Sequence, residues 1–275
     1  LSAQDLQLIR FTSDYYHHPI GEVVAAALPA LLRQGKPLHP VVEMIAITDL
    51  GDDIDIEALA KRAPKQAELL ETLRDAGGNG YEAEHLTDVL PNWRRVARSL
   101  FEKGLIVRRE QRGADFDETL APEAEPGPDL NKAQQAAVST LRTSTGFSTT
   151  LIEGITGSGK TEVYLHRMRE IIDQGKQVLV LAPEIGLTPQ LVARLRKRLG
   201  TEPALLHSGL TDNERLAAWR AARAGAARLV VGTRSAIFTP LANPGLIIID
   251  EEHDHSFKQQ EGLRYSARDL AIVRA

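Results

Sequence analysis

Eight consecutive residues constrain this chain more than any others: Gly154, Ile155, Thr156, Gly157, Ser158, Gly159, Lys160 and Thr161. They satisfy G-x-x-x-x-G-K-[ST] in the setting that pattern needs, between an apolar run from Thr149 to Ile155 and a helical pattern from Glu162 to Asp173. The glycines let the backbone curl so that successive N–H groups point at phosphate oxygens, and the following helix adds the positive end of its dipole. In such a loop Lys160 reaches the β- and γ-phosphates as a point charge, and the Thr161 hydroxyl ligates Mg²⁺. The plainer alternative is a Gly/Ser turn that merely ends a strand; eight matched positions between strand and helix weigh against it.

The remaining chain must therefore be explained around a nucleotide. Its 275 residues give room for one or two domains, and 43% hydrophobic with 25% charged residues is ordinary for a globular protein. The absence of cysteine excludes disulfides and a thiolate zinc site within these residues. No apolar run approaches the roughly 18 residues of a membrane span. The longest, Val23 to Leu32, is interrupted by Pro29. A net charge of −4 leaves no global basic field, so any nucleic-acid surface must be local. The start at Leu1, without Met or a signal pattern, predicts a piece of a longer cytoplasmic protein.

Residues 1–38 read as a helical connector with an aromatic turn at Asp14 to Pro19. The adjacent His17 and His18 do not share a helix face, which favours a structural or surface role over a metal. Residues 39–112 open acidic, with Glu43, Asp49, Asp52, Asp53 and Asp55, and continue with three helices. The first spans Ala63 to Ala76, with Ala67, Leu70 and Leu73 on one stripe; the others are Glu82 to Leu90 and a helix opening at Pro91-Asn92. A strand follows from Leu105. Three helices and a β-ribbon predict a winged helix. Arg94, Arg95 and Arg98 on its third helix suit phosphate contacts; a solvated face in a module used only for protein packing is the alternative. Residues 113–129, acidic and proline-containing with no basic residue, predict an extended, self-repelling linker.

From 130 to 275 strands and helices alternate as in an α/β domain with a parallel sheet. Strands are expected at Thr150–Ile155, Gln177–Ala182, Ala204–Leu206, Arg228–Val231 and Leu246–Ile249, with helices at Asn131–Arg142, Thr161–Asp173, Thr188–Leu199 and Thr211–Ala224. The last strand ends on Asp250, Glu251, Glu252 and His253. A carboxylate at that place beside a phosphate loop holds Mg²⁺, so Asp250 is the metal-side candidate and Glu251 the group that deprotonates water. Alone, such a triplet would read as an acidic helix start. Gln134 can read adenine through its amide, or close a capping box with Asn131, or do both.

Five segments resemble the motifs of a superfamily 2 helicase of the DExH type: Leu130-Asn131-x-x-Gln134, Gly154 to Thr161, Ala182 to Gln190, Val231 to Ala236, and Asp250 to His253. The phrases ITGSGKTEVY, PEIGLTPQ, LHSGL, VGTRSAIFTP, IDEEHDHSFKQQEG and RYSARDLA, with DYYHHPIGEV and LLRQGKP earlier, are similar to the bacterial primosomal replication-restart helicases over nearly the whole chain. That resemblance implies a RecA-like first helicase lobe in an ATP- and Mg²⁺-dependent 3′→5′ DNA helicase that recognises stalled or abandoned forks and initiates primosome assembly. It implies that Thr188, Thr233 and Arg234 grip phosphates of single-stranded DNA. It places an aromatic-rich coupling loop at Phe257 to Arg268, with Phe257, Lys258 and Tyr265 as DNA contacts, and it makes His253 a coupler. Leu263 stands where the family carries tryptophan. Forked and single-stranded DNA, primosome proteins and single-stranded DNA-binding protein are the implied partners, without a membrane, in the cytoplasm at the nucleoid. Zinc and the second lobe with its arginine finger are expected outside these residues, and residues 1–38 are the exit of a domain that captures a 3′ end. The chain alone is then expected to be inactive.

Three rival readings are open. One is another superfamily 2 translocase sharing this lobe; the second is a P-loop ATP-switch regulator with a winged-helix reader; the third is a DNA-binding module whose P-loop is vestigial. No N-K-x-D guanine motif follows the P-loop, and a vestigial site would not keep Lys160, Thr161, Asp250 and Glu251.

Overall fold

The computed structural model describes all residues except 40, 78, 79, 113–115, 117–120, 144, 145 and 156. It divides into two compact units, Leu1–Leu38 with Ala114–Ala275, and His39–Gly113. The first unit begins with helices α1 (Ala3–Tyr15), α2 (Ile20–Ala27) and α3 (Ala30–Arg33). Ser2 and Asp5 cap α1 reciprocally, satisfying two of its orphan donors.

The smaller unit carries β1 (Val41–Ile47), α4 (Asp49–Asp52), α5 (Ile56–Arg62), α6 (Pro64–Asp75), β2 (Tyr81–Glu82), α7 (Ala83–Val89), α8 (Trp93–Glu102) and β3 (Ile106–Arg112). β1 lies between β2 and β3 in an antiparallel sheet, with Ile47 opposite Ile106. Strand β1 is a feature the charge-based reading of residues 40–56 missed. Its sequence is apolar except for Glu43, whose carboxylate lies 3.3 Å from Arg108 on β3. Helix α6 buries Ala67, Leu69, Leu70 and Leu73, and α8 buries Trp93, Ala97 and Leu100 at helical spacing. Because those three positions turn inward, Arg94, Arg95 and Arg98 all face water.

The larger unit continues with α9 (Lys132–Thr143), α10 (Lys160–Asp173), β4 (Gln177–Leu181), α11 (Pro189–Leu199), β5 (Pro203–Leu206), α12 (Asp212–Ala224), β6 (Leu229–Gly232), β7 (Pro244–Ile249) and α13 (Ala267–Arg274). The four strands are parallel in the order β5-β6-β4-β7. β4 is buried along its whole length. The two-residue period then splits its side chains between two cores. Leu179 and Leu181 join Leu8, Ile9 and Val23 on one face, while Val178 and Val180 join Leu165, Met168 and Leu195 on the other.

Three expectations change. Residues 150–155 form no strand; Leu151 and Ile155 are exposed, and among the described residues no strand pairs with them. Apolar periodicity describes a strand's side chains but does not supply the neighbour it needs. Residues 1–38, read as a connector, instead pack into the larger unit's core, and Trp219 Nε1 donates to the Ala27 carbonyl at 3.0 Å. Their partner surface, on α12 and α13, lies some 200 residues later and leaves no local signal in the helices themselves. The linker 113–129 does not extend freely where it is described; residues 113–115 and 117–120 lie outside the described residues. Glu125 N–H donates to Lys197 O at 2.9 Å, and its carboxylate meets the Lys197 ammonium at 3.5 Å. The basic end of α11 (Arg196, Lys197, Arg198) supplies the counter-charge that a reading of the linker alone omits.

Candidate active site

The P-loop enters α10 through Gly159, the N-cap, at φ 83°, and Gly157 has φ 82°. Both lie in the left-handed region where an L side chain is strained. Thr156 lies outside the described residues. Space, as well as φ, reserves Gly159: an added Cβ would sit 2.3 Å from Gln134 Nε2. Gln134 closes the expected capping box, its Oε1 accepting from Asn131 N–H at 2.9 Å while Asn131 Oδ1 accepts from Gln134 N–H at 3.0 Å. Its Nε2 is left to face the Ser158 and Gly159 carbonyls at 3.3 and 3.5 Å. Lys160 Nζ donates to Gly154 O at 2.5 Å and Ile155 O at 3.4 Å, so the ammonium folds back over the loop.

Thr161 and Asp250 come together at a residue the sequence reading did not single out. Tyr164 Oη lies 3.4 Å from Thr161 Oγ1 and 3.2 Å from Asp250 Oδ2. Burial, reinforced by the Asp250 charge, pushes the Tyr164 pKa up to about 12, so the phenol stays a donor at neutral pH. Its place three residues after Thr161 on one helix face was the available signal. Asp250 is fixed from the sheet side, its N–H donating to Leu181 O at 2.9 Å. Glu251 follows at φ 48°, an uncommon conformation for a glutamate, with its N–H on Asp250 Oδ1 at 3.2 Å. His253 Nε2 lies 3.8 Å from Glu251 Oε2, and both side chains are exposed.

Helix α10 is anchored by Glu162, buried and gripped by Arg194 and by Arg198, the latter at 2.6 Å. Burial alone would raise the Glu162 pKa, but the hydrogen bonds and charges of Arg198 and Arg194 outweigh it and hold the carboxyl below its ordinary value. A depressed folded-state pKa gives stability that is present above the unfolded value of about 4.3 and lost as pH falls through the folded value. Glu162→Gln is therefore expected to cost roughly 2–3 kcal/mol at pH 7, below the figure for a fully buried pair because Arg194 is half exposed. That deficit shrinks below about pH 4; urea unfolding at pH 7 and pH 3.5 measures both.

The other expected DNA contacts are placed unequally. The Thr188 hydroxyl caps α11 by accepting from Leu191 N–H at 3.2 Å. Thr233 begins a 3-10 turn over Arg234–Phe238. Arg234 Nη1 is engaged internally, donating to Ser256 O at 2.7 Å and Lys258 O at 3.3 Å. Phe257 and Tyr265, both expected as DNA contacts, are buried. They are only 1% and 4% exposed, and Tyr265 packs edge-on to Phe238 at 5.0 Å. Leu263 is buried in the same core. Lys258 is exposed.

A glycine-lined turn at a helix start, beside a carboxylate leaving a parallel strand, is an arrangement suited to phosphate groups, and the sequence model of the DEAD/DEAH box helicases matches residues 131–274. The chain belongs to the DEAD/DEAH box helicase family. This DEAD/DEAH chain is similar to replication restart protein PriA of Haemophilus influenzae, 41% identical over 97% of the chain and 37% of that protein. It is also similar to PriA of Synechocystis, 44% identical over 76% of the chain and 25% of that protein, and to PriA of Bacillus subtilis, 40% identical over 80% and 28%. The chain thus spans 25–37% of the length of these relatives. Among the described residues no helix is long and apolar enough to cross a membrane.

Proposed function

We propose that this chain is the ATP-binding part of an ATP-dependent 3′→5′ DNA helicase that recognises stalled or abandoned replication forks and initiates primosome assembly. The observation that carries the reading is the meeting of Thr161 and Asp250 at the Tyr164 hydroxyl, one from the phosphate loop and one from the end of β7. Two hard oxygens at such a point fit Mg²⁺, which takes one or two protein oxygens and completes its shell with phosphates and water. When bound, Mg²⁺ neutralises charge on the β- and γ-phosphates. Residues 154–161 wrap the phosphates, Lys160 turns from the loop carbonyls to the γ-phosphate, and Gln134 adds its amide at the adenine side. Glu251 orients and deprotonates the attacking water, and His253, beside it, couples the nucleotide to DNA.

Residues 130–275 form the RecA-like first lobe in this reading, and residues 39–112 a winged helix in which α7 and α8 are the helix pair and β1–β3 the sheet. On the lobe, Thr188, Thr233 and Lys258 are the DNA-facing candidates, and Arg234 acts through the backbone it holds. Forked and single-stranded DNA, primosome proteins and single-stranded DNA-binding protein are the partners, in the cytoplasm at the nucleoid. The chain has no cysteine for a thiolate zinc site, and in this reading zinc is held by residues outside those given.

The test is phosphate release by the full-length protein with ATP, with and without forked DNA, across a salt series. DNA should stimulate hydrolysis; a GTP preference or indifference to DNA would favour a switch. In the same series Arg94, Arg95 and Arg98 changed together to Ala should weaken fork binding and reduce the salt slope by up to about one unit per lost phosphate contact. An unaltered slope would assign α8 to protein packing.

A further inference from the structure

The aromatic turn after α1 finds its use at the other end of the chain. Tyr16 closes α1, its N–H on Thr12 O at 3.1 Å, and His17 then turns the backbone at φ 50°. The half-buried Tyr16 ring thereby reaches the loop 257–268. Its hydroxyl accepts from Ser266 N–H at 3.1 Å and lies 3.2 Å from Asp269 Oδ2, while Lys258 Nζ stands 5.1 Å above the ring. Burial is the largest effect on the phenol and raises its pKa, which keeps the proton that Asp269 receives.

These contacts lie where the loop closes on itself. Lys258 bridges Ser266, and Gln259 N–H donates to Tyr265 O at 2.9 Å. Arg234 holds the outgoing limb at Ser256 and Lys258, as above, so Tyr16 holds the returning one. Two residues after Ser266, Arg268 Nη1 reaches Glu252 at 3.0 Å on its carboxylate and 3.2 Å on its carbonyl. A second tie fixes the direction of α1: Asp5 near its start lies 4.0 Å from Arg274 at the end of α13, while Tyr16 at its end meets the start of α13. α1 therefore braces α13 along its length, and the loop's exit is pinned beside the acidic residues that follow β7.

We propose that Tyr16 is a positioning residue whose hydroxyl sets loop 257–268 against Glu252, and that it governs DNA-stimulated but not basal ATP hydrolysis. The inference rests on the function proposed above, with loop 257–268 as its coupling element.

Two measurements on Tyr16→Phe test it, with Tyr15→Phe, on the exposed neighbouring ring, as the control. In this 275-residue chain, amide exchange at Ser266 should accelerate roughly tenfold, the worth of about one hydrogen bond, and Tyr15→Phe should leave it alone. In the full-length protein the maximal DNA-stimulated rate should fall roughly fivefold, in the range of an ordinary coupling, with basal hydrolysis and the DNA concentration for half-stimulation unchanged. Unaltered exchange at Ser266 would overturn the positioning role. Basal and stimulated rates falling together would reduce Tyr16 to a fold-supporting residue, and a normal stimulated rate despite faster exchange would remove its part in coupling. A wild-type protein that DNA does not stimulate would instead sink the proposed function, while exchange would still decide whether Tyr16 seats the loop.

Discussion

Lys160→Ala is expected to bring ATP hydrolysis by the full-length protein to background. The ammonium is the one charge the P-loop sequence supplies to the β- and γ-phosphates, and phosphoryl transfer depends on such charge more than on covalent chemistry. In this chain the same change should weaken ATP binding at least about tenfold, since a charge-assisted hydrogen bond is worth about 1.5–3 kcal/mol and 1.4 kcal/mol is a factor of ten. Unfolding should shift little, because the Lys160 bonds to the loop carbonyls of Gly154 and Ile155 lie near the surface. Isothermal titration with Mg·ATP, phosphate release and a urea curve separate the three effects. Binding and turnover at wild-type levels would show that the nucleotide lies elsewhere.

That prediction rests on residues legible without coordinates, because the P-loop is a local device: the glycines, lysine and threonine are read in one short window. The same holds for Gln134, whose capping box with Asn131 spans three residues. Helices α6, α8, α10 and α12 were legible from their apolar spacing. What depended on distant partners was not. Residues 150–155 carry a strand's composition without a pairing strand among the described residues, and the burial of Phe257 and of Tyr265, whose ring meets Phe238 edge-on, is set by partners remote in sequence. Tyr164 and Tyr16 were overlooked for the same reason. Tyr164 matters through Asp250, 86 residues on, and Tyr16 through Asp269, 253 residues on. Charge misled in both acidic stretches, since Glu43 and Glu125 each find a basic partner remote in sequence.

Glu251→Gln is expected to leave Mg·ATP binding intact while turnover falls roughly 10²-fold or more, because the amide keeps the side chain's shape but cannot take a proton. The backbone at this residue makes the test sharper. Glu251 sits at φ 48°, and a left-handed non-glycine residue costs of order 1 kcal/mol or more. Its side chain is exposed, 3.8 Å from His253, and its backbone is held by its N–H on Asp250 Oδ1 and by its carbonyl, which accepts from Asp254 N–H at 2.9 Å, so local hydrogen bonds and not side-chain packing hold this conformation. The glutamine variant keeps the strain and should match wild type in urea unfolding. Glu251→Gly relieves it and should be more stable by about 1 kcal/mol, yet lose turnover to the same extent. Single-turnover phosphate release, ATP titration and unfolding curves on the three proteins decide the matter. A stabilised glycine variant without activity would mean the strain is kept for the carboxylate's chemistry, whereas a glycine variant that still hydrolyses ATP would move the general base to another residue, with Glu252 the nearest carboxylate in sequence.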